Sequence, residues 1–184
     1  MSYSAWSVVF GEQPSAAKWN ILGTNDSSFN DGTGIGNLAL STTALSNPYK
    51  FSAYASGTTS AGAGVFTLVA FATEEYDTNN NFASSTYTAP VNGFYQFNAA
   101  LSITAGGAEL YIISLYKNGS EFKRGNGITV GGAGAASLVV APPPFQLNAT
   151  DTITVEVFNN SGGAKTVGTG QNLTYFGGFL VSKT

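Results

Sequence analysis

Apolar and polar residues alternate through "DTITVEVFN", residues 151–159. Ile153, Val155 and Val157 fall on one side of an extended chain, and Thr152, Thr154 and Glu156 on the other. That period of two predicts a strand with one face in a core. Runs rich in Val, Ile, Thr, Tyr and Phe follow one another from Tyr49 onward: "FSAYAS", "VFTLVAFAT", "STYTAP", "FYQFNAALSIT", "ELYIISLYK", "ASLVVAPPPFQL" and "LTYFGGFLVS". Gly, Asn or Pro clusters separate most of them at the spacing of a sandwich or jelly roll. "YIISLY", residues 111–116, is instead apolar on both faces, so it reads as a strand covered on both sides. The opposite sheet accounts for one covering, and a neighbouring subunit is a candidate for the other. No long helical period appears after residue 48. The pattern predicts an all-β sandwich over residues 49–184.

Residues 1–48 read differently. "SAWSVVFGEQPSAAKWNIL" carries a Pro-Ser start before Ala16, Ala17, Lys18, Trp19 and Leu22, the opening of a short helix. Trp19, Leu22 and Phe29 lie near one face at helical spacing. That face packs on the chain's own domain, or on further copies or another protein. From Asn30 to Asn47 the chain is rich in Gly, Ser and Thr, as an extended connector would be, and Pro48 punctuates its end. Residues 1–48 are therefore an expected anchoring and connecting segment.

Composition narrows the function. Charged residues make up 9% of 184, against roughly a quarter in an average soluble domain. Neutral polar residues and glycine take their place. The formal net charge is −3 with a single Arg, Arg124, which argues against nucleic acid as a partner. No apolar run approaches the roughly 20 residues that span a membrane. The opening "MSYSAWS" lacks the basic start and apolar core of a signal peptide, so synthesis in a cytoplasm without export is expected.

Candidate chemistry is sparse. The chain has no His and no Cys, which removes the commonest general base, the thiol nucleophile and most transition-metal sites. Glu74 and Glu75 are neighbours on an expected strand and face opposite ways, so they do not converge as a glycosidase pair would. Asp77, Asn79 and Asn81 have the rhythm of a calcium loop. The sixth position, however, holds Phe82 where glycine is needed, and the twelfth holds Thr88 where a bidentate carboxylate is needed. The segment is read as a turn. "GNGITVGGAGAAS", residues 125–137, lacks the Lys-Ser/Thr of a phosphate loop and is expected to be a long loop at one end of the sandwich. No catalytic residue, metal or cofactor is expected, and no enzyme. Loop residues Asn118, Lys123, Arg124, Asn126, Asn159 and Asn160 are the candidates for ligand contact.

Six features in order resemble the trimeric globular heads of complement component one-q, whose jelly roll is shared with tumour necrosis factor. They are Phe51-Ser52-Ala53; Tyr76-Asp77 followed by Phe82; "YTAPVNGFYQF" with Pro90, Gly93, Tyr95 and Phe97 in register; "LYKNGS"; "LNATDTITVEV"; and "YFGGFLV". Thr150 stands where such heads usually have Gly, and Gly177 replaces a common Ser. The resemblance implies a jelly-roll sandwich of about ten antiparallel strands and a homotrimer. Trp6 to Leu22, with its Gly-Glu-x-Pro-Ser-Ala-Ala-Lys core, is similar to the opening of tail and fibre proteins of tailed bacteriophages. Together these imply a non-enzymatic, homotrimeric virion protein: a spike, short fibre or decoration protein. Trp6, Trp19, Leu22 and Phe29 would dock to other virion proteins or to the trimer, and the jelly roll would meet a host-surface glycan or protein. The alternatives are a cellular or secreted lectin or adhesion protein of the same fold, and a purely structural capsid cement.

Overall fold

The computed structural model describes residues 49–184. Trp6, Trp19, Leu22, Phe29 and the short helix expected around them lie outside the described residues. Within 49–184 the chain is all-β, with no helix long and apolar enough to cross a membrane among the described residues.

Two strands organise everything else. β7 (Gly93–Lys117) and β8 (Ser120–Val140) form one antiparallel ladder from Ala99↔Val140 to Lys117↔Ser120. The turn between them is Asn118-Gly119, with φ of 51° and 76°. Both central residues are left-handed, as a two-residue hairpin turn that matches strand twist requires. On its other edge β7 pairs first with β12 (Tyr175–Lys183) and meets β11 (Lys165–Val167) at Ile103. It then pairs with β10 (Thr152–Asn159) along Tyr111–Lys117.

The long strands therefore run through both layers. In one layer the order is β4 (Thr73–Asp77), β1 (Lys50–Tyr54), β12, then the first half of β7 beside β8. In the other, β10 lies beside the second half of β7, with β3 (Phe66–Leu68) and β6 (Thr86–Thr88) on its far edge. Short strands β2 (Thr59–Ala61), β5 (Phe82–Ala83) and β9 (Phe145–Leu147) pair with β11, β6 and β7 respectively.

The core forms because odd-numbered residues of β7 point inward through both halves: Tyr95, Phe97, Ala99, Leu101 and Ile103, then Tyr111, Ile113 and Leu115. Ile153, Val155 and Val157 of β10 face them, all fully buried. Phe51 joins the layers, its ring 4.7 Å from Phe82, 4.8 Å from Tyr87 and 4.9 Å from Phe176. Burial of each such ring contributes roughly 1.5–3 kcal/mol.

Three expectations are corrected here. Residues 125–137 are not a loop: they belong to β8, and Gly131–Gly134 pairs with Ala105–Ala108. Glycine is disfavoured in strands on average, but a long-range ladder overrides that preference. Gly125 is required there, since a Cβ would lie 2.4 Å from the Val139 carbonyl oxygen and 2.7 Å from Val140. It sits where the register slips between Ile112 and Ser114, so β8 bulges by one residue. "VFTLVAFAT" is broken into β3 and β4, with Val69 and Phe71 buried in the irregular stretch between. Lastly, the second face of "YIISLY" is covered from within the chain. Phe66 reaches across β10 to Tyr116 at 5.4 Å and to Phe158 at 5.3 Å, with the Arg124 guanidinium 6.0 Å from its ring. Ser114, on that outer side, is fully buried and donates to Glu121 at 2.7 Å. A neighbouring subunit is not needed to cover it.

Candidate interaction surface

The residues expected to contact ligand are spread along the whole length of the β8-β7-β10 ladder. Asn118 sits at the tip of the β7–β8 hairpin. Its amide donates to Asp151 at 2.7 Å, and its oxygen accepts from the Thr152 N–H at 2.8 Å. Lys123 lies on β8 with its ammonium 5.1 Å from the Phe122 ring, and Arg124 forks onto Glu121 through two 2.7 Å hydrogen bonds. Asn126 accepts from the Val139 N–H at 2.7 Å, across the bulge. Asn126 is level with Phe158, and Asn159 and Asn160 follow at that end of β10, about 25 Å along the strand from Asn118. The structure does not bring these residues together into one site.

Asn159 is moreover not a surface residue, which corrects its place among the ligand candidates. It is fully buried, its amide donating to the carbonyls of Ala61 at 2.8 Å and Gly62 at 3.1 Å. Its oxygen accepts from the Ser161 N–H at 2.8 Å and from the Ser161 hydroxyl. The signal was in the alternation: Asn159 continues the inward phase of Ile153, Val155 and Val157. Asn160 is exposed, but its oxygen accepts from the Leu110 N–H at 2.6 Å and ties the turn to β7. All four asparagines thus hold backbone.

Asp151 anchors the hairpin end. It takes the Lys117 ammonium at 2.8 Å, the Asn118 amide and the Asn148 N–H at 2.9 Å. The Lys117 hydrogen bond, followed by those of Asn118 and Asn148, holds its carboxyl down at about 2. Because that value lies below the roughly 3.9 of an unfolded Asp, the stabilisation is complete above pH ~4 and is lost as pH falls toward 2. With allowance for solvent screening of a partly exposed pair, about 1–2 kcal/mol is at stake. Asp151→Asn is expected to flatten the loss of stability between pH 4 and 2 in urea titrations. An unchanged slope there would exclude Asp151 as its source.

Asp77 is a turn residue. Its carboxylate accepts from the N–H of Phe82 at 2.7 Å and of Asn79 at 3.3 Å, while Asn80 takes a φ of 51° that Asn tolerates. No cluster of three metal-ligating carboxylates occurs among the described residues. Glu74 and Glu75 are exposed on β4.

What sequence reasoning missed is a face. On the outer side of the β4-β1-β12-β7 layer, direct cross-strand partners form three rows. One is Tyr54, Tyr175, Ala100 and Val139; the next is Tyr76, Ser52, Gly177 and Asn98; the third is Lys50, Phe179 and Gln96. Tyr76, Phe94, Val139, Phe179 and Val181 are each 40–51% exposed. At roughly 80 Å² of open surface per large side chain, the patch reaches about 500 Å², at the size where an apolar patch on a monomer becomes an interaction site. The middle row is low at Gly177, so a furrow crosses the strands between the Tyr175 and Phe179 rows, and at its β4 end the Glu75 carboxylate accepts from the Ser52 hydroxyl at 2.6 Å. The alternation in "YFGGFLV" contained this signal: Tyr175, Phe179 and Val181 share the side opposite buried Phe176 and Leu180.

Neither a protein-family model nor a curated protein sequence matches the chain. Solved structures do. The globular domain of zebrafish complement 1qA protein is similar with a TM-score of 0.57 at 18% identity, over 76% of this chain and 100% of that one. Eiger TNF from S. frugiperda gives 0.56 at 9% identity over 76% and 96%. Murine APRIL gives 0.56 at 14% over 72% and 98%. At these identities the likeness shows the fold: a jelly roll of the type found in complement one-q and tumour necrosis factor-like globular domains.

Proposed function

We propose that the chain is a non-enzymatic homotrimer, held together through the aromatic outer face of the β4-β1-β12-β7 layer. The observation that carries this reading is that face, with Tyr175, Phe179, Phe94 and Val139 open to solvent on a chain with only 9% charged residues. Obligate interfaces have that composition, resembling a domain core cut in half. The likeness to complement one-q and tumour necrosis factor-like domains supports it. The finer reading is a bacteriophage spike, short fibre or decoration protein. It is supported by the similarity of Trp6–Leu22 to tail and fibre proteins, with residues 1–48 docking to the particle. The hairpin end carries three of the seven cations, Lys117, Lys123 and Arg124, and is the end proposed to meet a host-surface glycan or protein. Trimerisation would multiply individually weak contacts there.

Native mass spectrometry tests the reading. The full chain is expected at three times its 18.9 kDa. Tyr175→Asp with Phe179→Asp is expected to run as a folded monomer, with far-ultraviolet circular dichroism unchanged. A monomeric parent chain sinks the proposal.

A further inference from the structure

A closed three-fold ring joins two different patches of each chain, because a heterologous contact cannot pair a surface with itself. The aromatic face therefore needs a second, unlike surface to receive it. We infer that Pro142, Pro143 and Pro144 of one copy lie in the furrow over Gly177 of the next. This rests on the three-fold reading above and adds the partner surface to it.

The proline segment is built as a rigid ridge. It follows buried Val140 and precedes Phe145, which is largely buried and anchors against Phe97 at 5.6 Å. The Gln96 amide pins the Pro142 carbonyl at 2.7 Å. Proline has no N–H to extend a ladder and its φ is fixed, so little entropy is lost when such a segment docks. Pro143 and Pro144 are exposed, and Phe122 continues the apolar ridge, its ring 5.0 Å edge-on to Phe145. The ridge occupies the sheet edge beside Gln96 and is continuous with the aromatic face at Val139 and Phe94.

The furrow has the matching form. Tyr175 and Phe179 are four residues apart on β12, about 13 Å, which admits a polypeptide between their rings. Aromatic walls with a low floor are how polyproline segments are received elsewhere. Gly177 sets the floor, since a Cβ there would come 3.2 Å from the Phe51 carbonyl oxygen. Tyr76 and the Glu75 carboxylate, held by the Ser52 hydroxyl, close one end.

The chain has no cysteine, so engineered pairs report cleanly. Ser52 and Pro143 are separated within one chain by three strand spacings, about 14 Å, twice the roughly 7 Å limit for a disulfide. Full-length chain carrying Ser52→Cys with Pro143→Cys, or Tyr76→Cys with Pro143→Cys, is expected to oxidise to covalent dimers and trimers and nothing larger. Each single variant should stay uncrosslinked. In parallel, Pro143→Lys with Pro144→Lys is expected to raise the concentration at which the trimer dissociates at least tenfold. A native trimer that shows neither effect overturns the furrow contact and leaves the trimer standing. A monomeric parent chain overturns both.

Discussion

Phe51→Ala is expected to destabilise the domain by about 4 kcal/mol, the largest effect of any single truncation proposed here. The residue is 1% exposed, its ring packing against Phe82, Tyr87 and Phe176 at 4.7–4.9 Å and against Phe97 at 6.4 Å. It is the aromatic contact through which β1 of one layer reaches β6 of the other. Truncation removes the transfer energy of the ring and leaves a cavity whose walls are themselves rigid rings. At the scale expected for a domain of this size, thermal melting should fall by more than 10 °C. Phe51→Leu, which keeps most of the volume, should recover over half of that. A melting point within 3 °C of the parent would mean that the layers do not depend on this contact.

Asn159→Ala is the second large effect, expected at about 3 kcal/mol. The side chain carries hydrogen bonds to the carbonyls of Ala61, Gly62 and Gly163 and from Ser161, in a fully buried setting. Removing it strands several backbone groups away from water, each costing about 1–3 kcal/mol unless relaxation rescues it. Asn159→Asp replaces two donors with a buried charge among carbonyl oxygens and should be at least as damaging. Asn160→Ala, one residue on and exposed, should cost under about 1 kcal/mol. Urea midpoints of the three variants separate a structural role from surface recognition. Equal midpoints for Asn159→Ala and Asn160→Ala would remove the distinction.

The contrast between these neighbours marks what was legible in the chain. Period-two alternation placed the β10 core, and extending it by one step places Asn159 inside; the turn chemistry of the Asn-Asn-Ser-Gly-Gly stretch obscured that. The strong local signals, Asn118-Gly119 and the order of aromatic and glycine positions, agree with the hairpin and the jelly roll. The Gly-rich course of β8 was not legible. Its pairing depends on residues 105–108, far along the chain, and no local preference encodes a partner. The aromatic outer face was legible only in halves. Tyr175 and Phe179 announce themselves on β12, but the row partners of Tyr175, which are Tyr54, Ala100 and Val139, come from three other strands. The candidate loops were chosen on residue type alone, and the structure assigns their asparagine side chains to backbone.

The pairing of β1 with β12 has a consequence for the order in which the chain acquires its form. β1 lies between β4 and β12, and Phe51 pairs with Gly178. During synthesis the first described strand emerges well before its partner, which ends at Lys183. The β7–β8 hairpin has only a turn to close and can form while the polypeptide is still tethered to the ribosome. The layer holding β1 must wait until β12 clears the exit tunnel. Until then one edge of β1 and one edge of β7 are open, and a truncated product ending before β12 keeps them open for good. Fold completion is thereby coupled to the synthesis of β12, so a chain terminated before it is the form most exposed to aggregation and proteolysis.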